Sequence, residues 1–369
     1  MSEKKEDPSE DDGSGTTQYK PEPIYPGTYK IFGVEFAPFF LPLERRMQTF
    51  AVLYWMSTFL FFGPVFVLVS LYLFLYTRLW FLPVLYYTWL VYDLDTCNRG
   101  GRTGWWVRFV RGWRLWRHYR NFFPVSLVKT AELDPEQNYL LGYHPHGVLC
   151  SGAFSSFATE AGGFSSLYPG LVSRMFTLEG QFWIPGNREL SLGAGCCAAN
   201  KRGMEALLGQ PGGMAAVLVP GGAPEALNSE KDKIRLILRR RKGFIKIALR
   251  YGVSLVPTFG FGEAFIYDQL NNPEGSLLRK FQDYLQNIVG FAPVLFFGRG
   301  VFQYNFGIVP HRKPLTVVVG APIEVKKVSE PTSEQILELQ EKYIEELIAL
   351  YNKYNPVYGD TSVELVIGE

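Results

Sequence analysis

The first third of the chain is patterned in long uncharged blocks. Residues 47–77 carry no charged side chain, Arg78 interrupts, and a second uncharged block covers 79–92. A bilayer-spanning helix needs about 20 apolar residues. The segment is therefore long enough for two closely spaced or re-entrant helices, with Gly63-Pro64 inside the first block. Arg45 and Arg46 precede it and Arg99 and Arg102 follow, so positive charge on both flanks predicts a hairpin with both ends in the cytosol. The alternative is a buried hairpin in a soluble core, which so long an uncharged run disfavours. Residues 1–27 are polar, acidic and rich in Ser, Gly and Pro, which predicts a disordered tail and is unlike a secretory signal.

Over 105–120 the period changes. Arg108, Arg111, Arg114, Arg117 and Arg120 recur every third residue. On a helical wheel Trp105, Trp106, Phe109, Trp113, Trp116 and Tyr119 gather within roughly 140° of arc. This pattern predicts a helix lying in the headgroup layer, aromatic face down; the same stripe on a solvated helix would pack on a protein core. From Asp134 onward the pattern alternates between strand and helix. Strands are expected at 138–143, 214–219, 253–259 and 315–319, and helices between them, such as 198–208 and 234–250. Thr332-x-x-Gln335 forms a capping-box signature, followed by one apolar face of Ile336, Leu339, Tyr343, Ile344, Leu347 and Tyr351. The predicted class is α/β with a largely parallel sheet, preceded by the membrane hairpin and the interfacial amphipathic helix. The expected divisions are a tail over 1–27, the hairpin region over 28–104, the interfacial helix over 105–124 and the α/β domain over 125–369.

Composition supports a membrane reading, because 47% hydrophobic and 16% aromatic content is rich for a soluble enzyme. A net charge of only +2 gives no global nucleic-acid signature. Cys97, Cys150, Cys196 and Cys197 do not form a disulfide framework, and reduced thiols facing the cytosol are the simplest reading.

The candidate chemistry centres on His144-Pro145-His146-Gly147, which follows the apolar run Tyr139–Tyr143. Proline fixes the backbone between the histidines and Gly147 permits a sharp turn into a possible helix reaching Glu160. Strand, rigid loop and helix would hold an imidazole at the edge of a sheet, where it can take and return a proton near neutral pH. An isolated His-x-His is also often structural or a metal pair. A zinc site wants three or four ligands and no further ligand motif follows, so no metal is assigned.

The second candidate is Pro220-Gly221-Gly222-Ala223-Pro224-Glu225, after the apolar strand ending at Val219. A glutamate near His146 would hold the imidazole in one tautomer; alone, such a stretch is usually just a turn. The third is a basic segment, Lys231, Lys233, Arg235, Arg239, Arg240, Arg241, Lys242, Lys246 and Arg250, which suits a solvated face, phosphate groups or an anionic lipid surface. No Gly-x-Ser-x-Gly elbow occurs, which disfavours a serine hydrolase.

With these stretches in view the chain resembles the acylglycerol acyltransferases, the family of type-2 diacylglycerol, monoacylglycerol and wax-alcohol acyltransferases. The carriers are VEFAPFFLPLERRMQTFAVL (34–53), SLVKTAELDPEQNYLLGYHPHGVL (126–149), RKGFIKIALRYGVSLVPTFGFGE (241–263) and GRGVFQYNFGIVPHRKPLTVVVGAPIEV (298–325). The family's His-Pro-His-Gly falls on His144–Gly147, its Gly-Gly-Ala-x-Glu on Gly221–Glu225 and its Arg-x-Gly-Phe on Arg241–Phe244. The chain departs from the family at Phe122, where a tyrosine is usual, and at Pro220 and Pro224. SLVKTAELDP (126–135) brings it nearest the monoacylglycerol branch.

The resemblance implies an acyltransferase of the endoplasmic reticulum membrane with a cytosolic catalytic domain and access to lipid droplets. It would move an acyl group from acyl-CoA, a co-substrate and not a cofactor, to mono- or diacylglycerol in triacylglycerol synthesis. His146 would be the base, oriented by Glu225. His144 would shape the loop or donate to the oxyanion, assisted by backbone amides near Gly147. Pro145, Gly147, Gly221 and Gly222 would line the substrate site, and Arg239, Arg240, Arg241 and Lys242 would meet the phosphates of CoA. Membrane lipid is an expected partner, nucleic acid is not, and a homo-oligomer is left open. The rivals are a wax synthase acylating long-chain alcohols and a non-catalytic, membrane-shaping lipid-binding protein.

Overall fold

The structure is a computed structural model that describes residues 29–38, 40–222, 224–225, 233–269 and 296–368, with isolated positions elsewhere. The tail expected over 1–27 lies outside the described residues, apart from Thr16 and Thr17, and so does Lys231. Fourteen strands are described. They are β1 Thr16–Thr17, β2 Tyr29–Ile31, β3 Val34–Phe36, β4 Val125–Lys129, β5 Tyr139–His144, β6 Val172–Thr177 and β7 Cys197–Ala198, then β8 Met214–Leu218, β9 Lys233–Ile237, β10 Ser254–Phe261, β11 Asp268–Gln269, β12 Phe296–Phe297, β13 Leu315–Val319 and β14 Glu364–Gly368. Eight of them form the central sheet in the order β1-β4-β13-β10-β5-β8-β6-β7. It is mostly parallel; β1 runs antiparallel to β4, and β13 to β10.

Strand β5 is buried at every residue, because both faces of the sheet are covered; a parallel strand so placed reads as a continuous apolar run. Its alternation assigns sides. Tyr139, Leu141 and Tyr143 join one core cluster with Val217 and Val317, whereas Leu140 joins the other with Phe259. By the same period-2 rule His144 falls on the Leu140 side.

The N-terminal block forms three helices rather than two, α1 Leu43–Leu60, α2 Phe62–Tyr76 and α3 Phe81–Asp93. Helix α1 belongs to the protein core on one side: Ala51, Val52, Trp55 and Met56 are buried, and Trp55 stacks on Phe154. Helices α2 and α3 expose Val67, Leu68, Leu71, Leu75, Leu82 and Leu85, among others. Among the described residues no single helix is long and apolar enough to cross a membrane; α1 and α2 pass that test only together, bent by 66°.

The single helix expected over 105–120 is two, α4 Trp105–Arg111 and α5 Arg114–Phe122, separated at Gly112 and Trp113, whose backbone is non-helical at ψ 135°. The break divides the aromatic stripe. Trp105, Trp106 and Phe109 face outward, whereas Trp116 and Tyr119 are fully buried. Arg111 is also drawn inward, with Nε donating to Glu160 at 2.7 Å and Nη2 to the Ser173 hydroxyl at 2.9 Å. A helix presenting this side to the core cannot lay its whole aromatic stripe on a bilayer.

Further helices among the described residues are α6 Ser151–Phe157, α7 Phe164–Leu167, α8 Asn187–Gly193, α9 Lys201–Leu208, α10 Gly243–Tyr251 and α11 Ser333–Tyr358. The helix expected over 234–250 is therefore a strand followed by a helix. Lys233, Ile234, Arg235 and Leu236 alternate outward and inward, and β9 pairs in parallel with β14. Helix α11 opens with the predicted box: Gln335 N donates to Thr332 Oγ1 and Thr332 N to Gln335 Oε1. Its buried Tyr343, Leu347 and Tyr351 close one face of the sheet over Leu140 and Phe259.

Candidate active site

Three adjacent parallel strands, β8, β5 and β10, end at one edge of the sheet, and each delivers a candidate group just beyond its end. Groups that gather at the C-terminal edge of parallel strands have the usual location of an α/β site. Strand β5 delivers the histidine loop, β8 delivers Glu225 and β10 delivers Glu263.

His146 is half-buried, and its Nδ1 lies 2.9 Å from the Gly147 carbonyl. A carbonyl only accepts, so Nδ1 carries the proton and the lone pair sits on Nε2. Burial lowers the imidazole pKa from its ordinary value, which keeps the ring neutral and able to accept a proton.

Glu225 is buried and serves this loop by a route different from the expected one. Its Oε2 accepts the His146 backbone N–H at 3.1 Å and its Oε1 accepts the Ile237 N–H at 2.9 Å. The carboxylate thus positions the backbone of His146, while the Gly147 carbonyl sets the ring tautomer. Burial pushes the Glu225 carboxyl up to about 7, partly offset by those two hydrogen bonds and by Arg241. Gly221 makes the arrangement possible: a Cβ there would stand 1.8 Å from the Glu225 carboxyl carbon. Gly221→Ala is expected to displace Glu225 and lower turnover about 10²-fold, as misplacement by about an ångström does. Gly180→Ala, whose added carbon meets nothing within 4 Å, is the matched control, and equal turnover in the two variants would defeat the argument.

His144 lies against α11. It is fully buried; its Nε2 is 2.9 Å from the Tyr343 hydroxyl, which itself donates to the Gly142 carbonyl at 3.2 Å. With that hydroxyl proton committed, His144 Nε2 must be the donor. Burial takes the ring pKa down to about 3, so it is neutral. In this placement His144 Nε2 is engaged with Tyr343 inside the protein. Gly142 is required here, since a Cβ would sit 1.9 Å from the Tyr343 oxygen.

Two backbone amides at the start of α6 are also occupied. Glu263, buried, accepts the Ser151 N–H at 2.6 Å on Oε1 and the Gly152 N–H at 2.7 Å on Oε2, which also takes the Tyr143 hydroxyl at 2.9 Å. A carboxylate at the first amides of α6 is favourable by charge and by hydrogen bonding. Burial raises the Glu263 carboxyl to about 7 against these bonds. Glu225 and Glu263 therefore grip the two ends of one loop. Glu263 and Tyr343 were not singled out as site residues from sequence. The signals were present, an acid closing an apolar strand and a hydroxyl on an apolar helix face, but neither names its partner.

The basic segment divides. Arg241 Nη2 donates to the Gly221 carbonyl at 3.2 Å and so braces the Glu225 loop. Arg239 pairs with Glu341 at 2.7 Å on the surface, and Arg240 and Lys242 are exposed. Lys233 and Arg235 line a small cleft with Pro145, Gly147 and Glu225. The cleft contains two of the four glycine and proline positions expected to line the site; Gly221 and Gly222 instead shape the turn that carries Glu225.

A family model described as diacylglycerol acyltransferase matches residues 72–368. The chain is 46% identical over 335 residues to 2-acylglycerol O-acyltransferase 1 of Bos taurus, covering 90% of this chain and 99% of that protein. It is 41% identical over 326 residues to diacylglycerol O-acyltransferase 2 of Homo sapiens, covering 88% and 83% respectively. Among solved structures it is similar to the 1-acyl-sn-glycerophosphate acyltransferase PlsC of Thermotoga maritima, at 12% identity and a TM-score of 0.36, covering 83% of this chain and 98% of that one. On the extent of the family match and these identities, the chain belongs to the diacylglycerol acyltransferase family.

Proposed function

We propose that this chain is an acyl-CoA-dependent O-acyltransferase that esterifies mono- or diacylglycerol in triacylglycerol synthesis, with His146 as general base. The observation that carries the mechanism is the hydrogen bond from His146 Nδ1 to the Gly147 carbonyl, which leaves Nε2 as the acceptor. In the proposed step Nε2 takes the proton of the acceptor hydroxyl as that oxygen attacks the thioester carbonyl. The new C–O bond forms, the C–S bond breaks, and the imidazolium returns the proton to the departing thiolate. No covalent acyl-enzyme is needed. Glu225 and Glu263 hold the loop, and Lys233 and Arg235 stand where they can meet the anionic part of the co-substrate.

The location follows the same reading. The outward apolar side chains of α2 and α3 support embedding in a bilayer, and the family resemblance supports the endoplasmic reticulum with the catalytic domain on the cytosolic side. Lipid-droplet access and self-association belong to the same proposal.

The deciding assay offers labelled acyl-CoA to the purified protein with monoacylglycerol, diacylglycerol or a long-chain alcohol. Monoacylglycerol is the acceptor expected to turn over fastest, in keeping with the 46% identity to a 2-acylglycerol acyltransferase. Transfer to the alcohol alone would make it a wax synthase. No transfer to any acceptor by folded protein would leave a lipid-binding role.

A further inference from the structure

Apart from α2 and α3, two tight turns present aromatic side chains to the outside. Strands β2 and β3 form a hairpin, and residues 298–309 form a loop closed by paired hydrogen bonds between Arg299 and Val309 at 2.7 and 2.9 Å. The two are knitted together: Ala37 N donates to Phe302 O and Tyr304 N to Glu35 O, both at 2.8 Å, and Glu35 N donates to Asn305 Oδ1 at 2.7 Å. Phe32 is 102% exposed, Phe40 96% and Phe302 77%. Ile31, Phe306 and Ile308 are exposed beside them.

Phe32 is also in an unfavourable backbone conformation. Phe32 and Gly33 have φ 48° and 82°, so both central residues of a two-residue hairpin turn are left-handed. Such turns favour Asn-Gly, and a bulky residue at positive φ is an outlier. A phenylalanine that is both strained and solvent-exposed points to a role outside the folded chain.

The surroundings indicate the partner. Residues 298–309 contain no acidic residue, Glu35 is the one acid of the hairpin and is only partly exposed, and Lys30 is exposed next to the tip. The platform is seated on α1, where Arg299 Nη2 meets Thr49 Oγ1 at 3.5 Å. Leu43, Phe50 and Phe61 are exposed on or at the end of α1 and fall within about 20° of one another on a helical wheel. That stripe ends at Phe61, immediately before α2 and its exposed apolar side chains. We propose that this platform is a second membrane-contact surface, which inserts its aromatic side chains into the headgroup and upper acyl region of the leaflet that holds α2 and α3. Aromatic rings with neighbouring cations suit that depth. The inference rests on reading α2 and α3 as embedded in lipid.

All four native cysteines are buried, so a single introduced surface cysteine can be labelled. Full-length Phe302→Cys, Leu68→Cys and Glu338→Cys would carry an environment-sensitive fluorophore in phosphatidylcholine vesicles with or without brominated acyl chains. Leu68 tests the embedded helices, and Glu338, exposed on α11, is the water control. The expected result is a blue shift and bromolipid quenching at 302 several-fold greater than at 338. Adding Phe32→Asn, which suits the turn better and does not threaten folding, is expected to reduce the quenching at 302. A water-like label at 302 while 68 is quenched would overturn the platform alone. Labels unquenched at both positions would overturn the embedded helices and the platform with them. A signal at 302 that disappears when protein is diluted at constant lipid would assign the surface to a second copy instead, and would also overturn the proposal.

Discussion

His146→Ala is expected to lower acyl transfer by about 10²- to 10⁴-fold, the usual contribution of a general base, while the protein stays folded and membrane-bound. The ring is half-buried, and its only described hydrogen bond is to the adjacent Gly147 carbonyl, so removing it disconnects no other element. His144→Ala should behave differently. That ring is buried against Tyr343 on α11, and its loss would open a cavity beneath the loop and leave the tyrosine oxygen without its donor. Its activity loss should therefore come with a clear fall in melting temperature. His144→Phe, which fills the space but lacks the donor, should regain part of the lost stability without full activity. The comparison is turnover against melting temperature for each variant. Near-normal turnover in folded His146→Ala would remove the base assignment, and an unchanged melting temperature in His144→Ala would remove the structural one.

The elements that sequence revealed are those whose determinants are local. Strand β5 announces itself by Tyr139–Tyr143, and α11 by a capping box and an apolar face contained within its own length. Even the side taken by His144 was legible, because Leu140, Gly142 and His144 share one parity. The helical wheel over 105–120 failed because it assumes one unbroken axis, and Gly112 and Trp113 break it. The segment from 234 misled because Ile234, Leu236 and Ile237 fit a helical stripe as well as an edge strand; only pairing with β14, more than 100 residues away in sequence, decides it. The clamps on the histidine loop are more distant signals still. Glu263 meets Ser151 across 112 residues and Tyr343 meets His144 across 199. A glutamate placed after a strand says nothing about which helix will end beside it. Glu225 was recognisable as a partner of the loop, but whether it would take the ring or the backbone depends on the path of the turn, which Gly221 allows and no spacing rule encodes.

Turnover is expected to fall as pH drops through about 7, and stability to move the other way. Glu225 and Glu263 are each raised by burial from an ordinary carboxyl value of 4.5 to about 7. In the ionised state Glu225 takes two backbone donors and Glu263 takes two backbone donors and the Tyr143 hydroxyl, with both oxygens of each used, which is the arrangement that grips the loop. Protonation converts one acceptor oxygen into a donor facing an N–H, and the grip loosens. The imidazole of His146 titrates below its ordinary 6.5, so on acidification the carboxylates are lost first. Their effect on folding has the opposite sign. A folded pKa above the unfolded one contributes stability that is complete below 4.5 and is lost as pH rises through 7. A shift of this size corresponds to about 3 kcal/mol per group. The protein should thus be most stable in acid, where it is least active, as far as these two groups decide. Glu225→Gln and Glu263→Gln should each lower turnover more than they change the apparent affinity for acyl-CoA, since an amide offers one acceptor where two are used. Each should also flatten both profiles between pH 5 and 8. Measured profiles of turnover and of melting temperature test this together. A wild-type acid limb unchanged in both glutamine variants would assign the limb to His146 and remove the two carboxylates from control of the loop.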